Sequence, residues 1–245
     1  MEDIKKYALV TGVSRATGLG LEISRQLAQA GYVVYAAARK LPSVKELTSA
    51  LQAASLDVRP LQLDITQAES IAAAREKVAQ ETDQLAILVN NAAAFFDAGA
   101  RAIDADPAKI LRAFDTNTLG AWRMIQVFRP LLATAPYATV TNVTSGAGSF
   151  TDPLFGMSVH PQHVPVYAAT KAAANAMTVK LAQELREENI LVNAVCPGWV
   201  ATYPGTAEMG ARPVADGARG VVWAATLSAD GPTGGFFRDG EPLGW

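Results

Sequence analysis

Cysteine is nearly missing from this chain: Cys196 stands alone among 245 residues, so no disulfide can form within it. Histidine is almost as scarce. The two present, His160 and His163, lie near Pro161 and Pro165 in a polar connection with no thiol or acidic cluster at ligand spacing, so no metal site is expected. Charge is sparse and balanced. At 18% charged residues, a net charge of −2 and a pI near 5.7, no basic tract invites nucleic acid or an anionic membrane. No apolar run reaches the length of a membrane span, and the opening Met1-Glu-Asp-Ile-Lys-Lys lacks a signal-peptide apolar region. A soluble, cytoplasmic protein is the expectation. In that setting Cys196 reads as a small apolar filler behind a strand, with a reactive thiol as the other reading.

Apolar material is plentiful, at 50% of the sequence, enough for one large buried sheet. It comes in short runs that alternate with amphipathic stretches, the pattern of an α/β fold with a doubly wound parallel sheet covered by helices on both faces. Strands are expected at 7–10, 33–37, 58–63, 86–89, 138–143, 191–195 and about 236–237, seven in all within a single domain spanning 1–245. Helix starts carry chemical signals. Ser43-Val-Lys-Glu46 and Thr66-Gln-Ala-Glu69 fit capping boxes, and Asp106-Pro107 supplies an N-cap followed by proline at the first helical position. Long helices are expected over 107–133 and 166–188. The stretches 149–165 and 202–213 lack periodicity and belong to the sheet edge where such folds bind ligands.

The first strand opens into Thr11-Gly12-Val13-Ser14-Arg15-Ala16-Thr17-Gly18-Leu19-Gly20, followed by a helix with Ile23, Leu27 and Ala30 on one face and Gly31 placed to end it. A strand, a glycine turn and a helix in this order aim free backbone N–H groups at a phosphate, and the next strand completes the βαβ unit of a dinucleotide site. Farther along, Tyr167 and Lys171 are one helical turn apart, so a phenol and an ammonium share a helix face. A cation there favours the ionised phenol and brings it closer to useful acid and base work. Ser145 follows an apolar strand, where its hydroxyl either reaches a cleft or caps a turn. Asn117 interrupts a helical pattern, where Asn often has a local polar task.

Taken in order, the glycine turn, Asn90-Asn91-Ala92-Ala93, Ser145, Tyr167-x-x-x-Lys171 and Cys196-Pro197-Gly198 resemble the short-chain dehydrogenase/reductase family nearly end to end. The resemblance implies a Rossmann-type sheet, a nicotinamide cofactor and a Tyr/Lys/Ser/Asn catalytic group. It makes Tyr167 the general acid, Lys171 the ribose-binding cation that depresses the tyrosine pKa, Ser145 the holder of the substrate oxygen and Asn117 the anchor of a water relay. It further implies cofactor contacts from Gly12, Ser14, Arg15, Thr17, Gly18 and Leu19, from Arg39, Asp64 and Ile65, from Asn91, Ala92 and Ala93, and from Pro197, Gly198, Val200 and Thr202. The chain departs from the family at Ala16 and Ala93, where glycine is usual. A homodimer or homotetramer is also implied.

After the second strand a carboxylate suits the ribose of NAD, whereas arginine suits a 2′-phosphate; Arg39-Lys40 stands there and Arg15 adds a second cation, which favours NADP(H) over NAD(H). The other reading of these cations is solvated charge at a strand end. Segments near 93–97, 146–166 and 199–213 are expected to shape the substrate pocket, with Phe95, Phe96, Phe150, Phe155, His160, His163, Trp199 and Tyr203 lining it for an apolar or aryl carbonyl. The C-terminal stretch resembles carbonyl-reductase-like members. The expected reaction is therefore NADPH-dependent reduction of a ketone or aldehyde, its alternative the same chemistry run toward alcohol oxidation. Enoyl reductases of the family carry tyrosine seven residues before the lysine, where Val164 stands here. A silent NADP-binding sensor would be expected to lose Tyr167 or Lys171, and both remain.

Overall fold

The computed structural model describes residues 5–95, 99, 101–159 and 164–245; Phe96, His160 and His163 lie outside them. Seven parallel strands form the sheet, β1 (Lys6–Thr11), β2 (Tyr32–Ala38), β3 (Val58–Gln62), β4 (Ile87–Asn90), β5 (Ala138–Val143), β6 (Ile190–Val195) and β7 (Phe236–Arg238), in the order β3-β2-β1-β4-β5-β6-β7. An eighth, β8 (Glu241–Pro242), adds antiparallel to β7 and was not expected from the sequence. Its turn is Asp239-Gly240, both with positive φ, a hairpin signal that two-residue pairing made easy to overlook.

Helices α1 (Leu19–Gln29), α2 (Leu41–Ala53) and α7 (Val214–Ala225) cover one face, and α3 (Ala68–Ala79), α5 (Ala121–Ala133) and α6 (Pro165–Leu185) the other. Strand residues alternate between the two layers: Ala8 and Val10 pack with Ile23 and Leu27 of α1, while Leu9 packs on the opposite side with Phe128 of α5. Because β1 sits between β2 and β4, successive crossovers leave in opposite directions there, which opens a crevice at the carboxyl ends of these strands.

Local chemistry explains where several elements begin. Asp106 Oδ1 accepts the Ala108 N–H at 2.8 Å with Pro107 as first residue of α4 (Pro107–Phe114), as the sequence suggests. The two capping boxes do not form. Proline at 42 starts α2 earlier, leaving Ser43 inside the helix, and the Thr66 hydroxyl donates to Asp64 Oδ1 at 2.7 Å while Gln67 takes the cap position of α3. Gly31, with φ of 89°, ends α1 as expected, but Ala30 is exposed and Ala28 takes its place on the buried face. The helix expected over 107–133 is interrupted by a π-helical turn at Asp115–Gly120, which carries Asn117.

Gly12 and Gly31 both have φ between 77° and 89°, yet a Cβ on Gly12 would lie 2.6 Å from Ala92 Cα, whereas none of the described atoms comes within 4 Å of one on Gly31. Replacing either with alanine imposes left-handed strain of about 1–2 kcal/mol. Gly12→Ala is expected to lose a further ~1–3 kcal/mol to overpacking. Urea denaturation of the two variants side by side checks this ordering.

Candidate active site

The crevice is built on a junction between the glycine turn and the end of β4. The Thr11 hydroxyl accepts the N–H groups of Asn91 and Ala92, each at 3.0 Å, and Asn91 Nδ2 donates back to the Thr11 carbonyl at 2.7 Å. Gly20 is needed here as well, since a Cβ would lie 2.6 Å from Asn91 Nδ2. The turn is thus pressed against residues 91–92, and Val13 N–H donates to Ala37 O of β2 at 2.9 Å on its other side. Gly18 is the N-cap of α1 and supplies no side-chain hydrogen bond, so no side-chain cap takes up the amide donors of the first turn.

Beside this junction lies a cavity of about 980 Å³, bordered by Ser145, Tyr167 and Lys171 together with Arg15, Leu19, Asn91 and Ala93 of the cofactor set. Tyr167 enters on the first turn of α6. Its ring meets Phe95 edge-on at 5.0 Å, and Lys171 Nζ lies 5.6 Å from its centroid. Lys171 is buried, and its ammonium donates to Val143 O, the last carbonyl of β5, at 2.8 Å. Burial pulls its pKa down to about 8, against a smaller opposing effect of the Cys196 thiol.

Ser145 both borders the cavity and caps a turn. Its Oγ accepts Ala147 N–H at 3.1 Å and caps the short turn Gly146–Gly148, which leaves the hydroxyl proton for an acceptor in the cavity. Next to it Thr144, a wall residue not singled out from the sequence, has a buried hydroxyl with no protein partner among the described residues. Asn117 does not reach the cavity. Its amide clamps residue 94, accepting Ala94 N–H at 2.7 Å and donating to Ala94 O at 2.9 Å, and donates to Thr170 Oγ1 at 3.0 Å; that hydroxyl in turn donates to Tyr167 O at 2.8 Å. Its side chain therefore holds the backbone on which Tyr167 rides.

The remaining candidates divide by position. Pro197, Gly198, Val200 and Thr202 border the cavity, as do Phe155, Trp199 and Tyr203. Arg15 stacks its guanidinium over the Tyr203 ring at 4.1 Å, so the face is covered while the N–H edge stays open to an anion. Thr17 Oγ1 donates to Thr202 O at 3.5 Å. Gly12, Ser14, Thr17, Gly18 and Ala92 sit in and around the glycine turn outside the cavity wall, and exposed Arg39 follows β2. Asp64 Oδ1 is taken by Thr66, its N–H donating at 3.0 Å and its hydroxyl at 2.7 Å; Ile65 is buried where a Cβ on Gly120 would meet it.

One expectation needs correction. Phe150 lies outside the cavity wall and is 66% exposed, while its backbone N–H donates to the Trp245 carbonyl at 3.1 Å. Cys196 fits the filler reading, buried in an apolar cluster with Ala194 and Phe236, and it also borders the cavity, where its sulfur accepts the N–H of Gly146 at 3.2 Å and of Gly198 at 3.4 Å. The sequence reading also missed Thr206 and Met209 on the wall, although it flagged the aperiodic segment that contains them.

Comparison with known proteins fits this geometry. The sequence matches the family described as short chain dehydrogenase over residues 6–209. A short-chain dehydrogenase, anuI, from Penicillium roqueforti (strain FM164) is 33% identical, with 98% of each chain covered. The (-)-isopiperitenone reductase of Mentha piperita is 28% identical, with 99% of each covered. Among solved structures, an NADPH-bound carbonyl reductase from chicken fatty liver superposes with a TM-score of 0.82 at 24% identity over 99% of both chains. A metagenomic short-chain oxidoreductase in complex with NADP gives a TM-score of 0.78 at 25% identity, covering 95% of this chain and 96% of that one. The chain belongs to the short-chain dehydrogenase/reductase family and is an NAD(P)-dependent oxidoreductase acting on C=O and CH–OH groups of small molecules.

Proposed function

We propose that this protein is an NADPH-dependent carbonyl reductase that converts an apolar or aryl ketone or aldehyde to its alcohol, with Tyr167 as general acid. The observation that carries the reading is a single cavity wall holding Ser145, Tyr167 and Lys171 beside an uncapped helix N-terminus. The amides of the glycine turn and of α1 would hold a pyrophosphate, Arg15 and Arg39 a 2′-phosphate, and Asp64 and Ile65 the adenine side. Asn91, Ala92 and Ala93 on one flank, and Pro197, Gly198, Val200 and Thr202 on the other, would enclose the nicotinamide side. The cofactor, when bound, supplies a hydride to an electrophilic carbon.

The chain's part is electrostatic and proton-transferring. As negative charge grows on the carbonyl oxygen, hydroxyl donors from Ser145 and Tyr167 stabilise it more than they stabilise the neutral ketone. Tyr167 then gives up its proton. Lys171 stays close enough to favour the phenolate left behind, and its burial keeps water from screening that field. Phe95, Phe155, Trp199 and Tyr203 supply the apolar lining that such a substrate needs. Exposed Leu111, Leu119 and Trp122 on and beside α4 and α5 support self-association, and the free thiol fits a cytoplasmic setting.

Wild-type protein should oxidise NADPH in the presence of aryl ketones. Tyr167→Phe keeps the ring and removes the proton, and kcat is expected to fall ~10²–10⁴-fold. A rate within twofold of wild type would reject the role. Arg15→Ala should raise KM for NADPH about tenfold, the worth of one charge-assisted hydrogen bond, and leave KM for NADH as it was. Equal changes for both cofactors would remove the 2′-phosphate assignment. Finally, Lys171 carries its charge below about pH 8 and loses it above, so kcat/KM for NADPH should decline as pH rises through that region. Lys171→Met should abolish this limb of the profile.

A further inference from the structure

The segment from Ser149 to Met157, whose end borders the cavity, folds over a buried ion pair that the proton-transfer chemistry does not use. Asp152 has a fully buried side chain and pairs with Arg238 at the end of β7, 86 residues away; Nη2 bonds Oδ2 and Nη1 lies 3.4 Å from Oδ1. Burial pushes the Asp152 carboxyl upward, but the hydrogen bonds from Arg238 and from the Leu154 N–H overcome it and hold the group below its usual range. The loop folds on this residue: Leu154 N–H donates to Asp152 Oδ1 at 2.9 Å, Gly156 N–H to the Asp152 backbone carbonyl at 3.0 Å and Met157 N–H to Ser149 O at 2.9 Å.

The pair touches the site on two sides. Arg238 lies under the Phe155 ring, 5.1 Å from its centroid, and Phe155, Gly156 and Met157 form cavity wall. Its Nη2 also donates to Cys196 Sγ at 3.4 Å, the same sulfur that accepts Gly146 N–H. A Cβ on Gly146 would collide with Asp152 Oδ2, so the ion pair rests directly on the backbone that follows Ser145. From this juxtaposition we infer that Asp152 and Arg238 are positioning residues that fix the Ser145 turn and the Phe155 wall together, and so set which carbonyl substrates fit. This rests on the carbonyl-reductase reading. The reason is geometric: one rigid, planar guanidinium serves the carboxylate, the sulfur and the ring at once, which a lysine cannot do.

Arg238→Lys keeps the charge and loses the fork and the flat face. In the cofactor-free variant, hydrogen–deuterium exchange over residues 146–157 should accelerate about tenfold while α1 exchanges as in wild type. With NADPH and an aryl ketone, kcat/KM should fall ~tenfold or more, with the dissociation constant for NADPH changing less than about twofold. Unchanged loop exchange, unchanged kcat/KM, or a matching loss of cofactor affinity would each overturn the inference. Should Arg238→Lys fail to fold, Phe155→Leu leaves the ion pair in place and should raise KM for the aryl ketone at nearly constant kcat; an unaltered KM would count against it. A wild-type chain that reduces no carbonyl defeats the reaction assignment, and the exchange measurement still decides whether the pair holds the loop.

Discussion

The site depends on placing the Lys171 ammonium, a full charge, out of contact with water. Burying such a group is costly unless a polar partner meets it, and the partner is the Val143 carbonyl at the end of β5. That one bond ties α6 to the carboxyl edge of the sheet. It also sets the helix rotation, so Tyr167, one turn earlier, must face the same cavity. The lowered pKa of Lys171 follows from the same burial.

Behind this charge runs a set of buried polar bonds that fixes the neighbouring pieces. Asn117 joins the residue-94 backbone to Thr170, whose hydroxyl reaches Tyr167 O. Asn90 donates to Asn142 at 2.9 Å, and Asn142 to Thr178 at 2.9 Å, crossing from β4 through β5 into α6. Each buried amide left alone would cost on the order of 1–3 kcal/mol, so these contacts define position as well as contribute stability. The π-helical turn around Asn117 belongs to this network, since it is the local departure from regular helix at the residue that reaches across.

The two aperiodic segments acquire their shape from distant partners. Residues 202–203 reach back to the glycine turn through Thr17 and Arg15. The loop after β5 is held by Arg238 and by the chain's last residues, with Ser149 Oγ donating to Gly244 O at 2.7 Å and Trp245 stacked on Phe236 at 5.3 Å. Helix α6 thus carries Tyr167 and Lys171, while loops pinned from elsewhere supply much of the cavity wall.

The strands, the glycine turn and the Tyr167–Lys171 pair were legible in the sequence because each is written locally: short apolar runs, a turn between strand and helix, and a four-residue step on one helix face. The Asp106 cap was readable for the same reason. The Ser43 and Thr66 caps were not, because Pro42 and Asp64 compete for the same starts and sequence spacing does not rank competitors. Tertiary structure alone decided that Cys196 accepts N–H groups, that Asn117 works through Ala94 and Thr170, that Phe150 turns away, and that Asp152 meets Arg238. Those contacts join residues far apart in the chain, and folding sets their geometry by closing the sheet edge rather than by any period in the sequence.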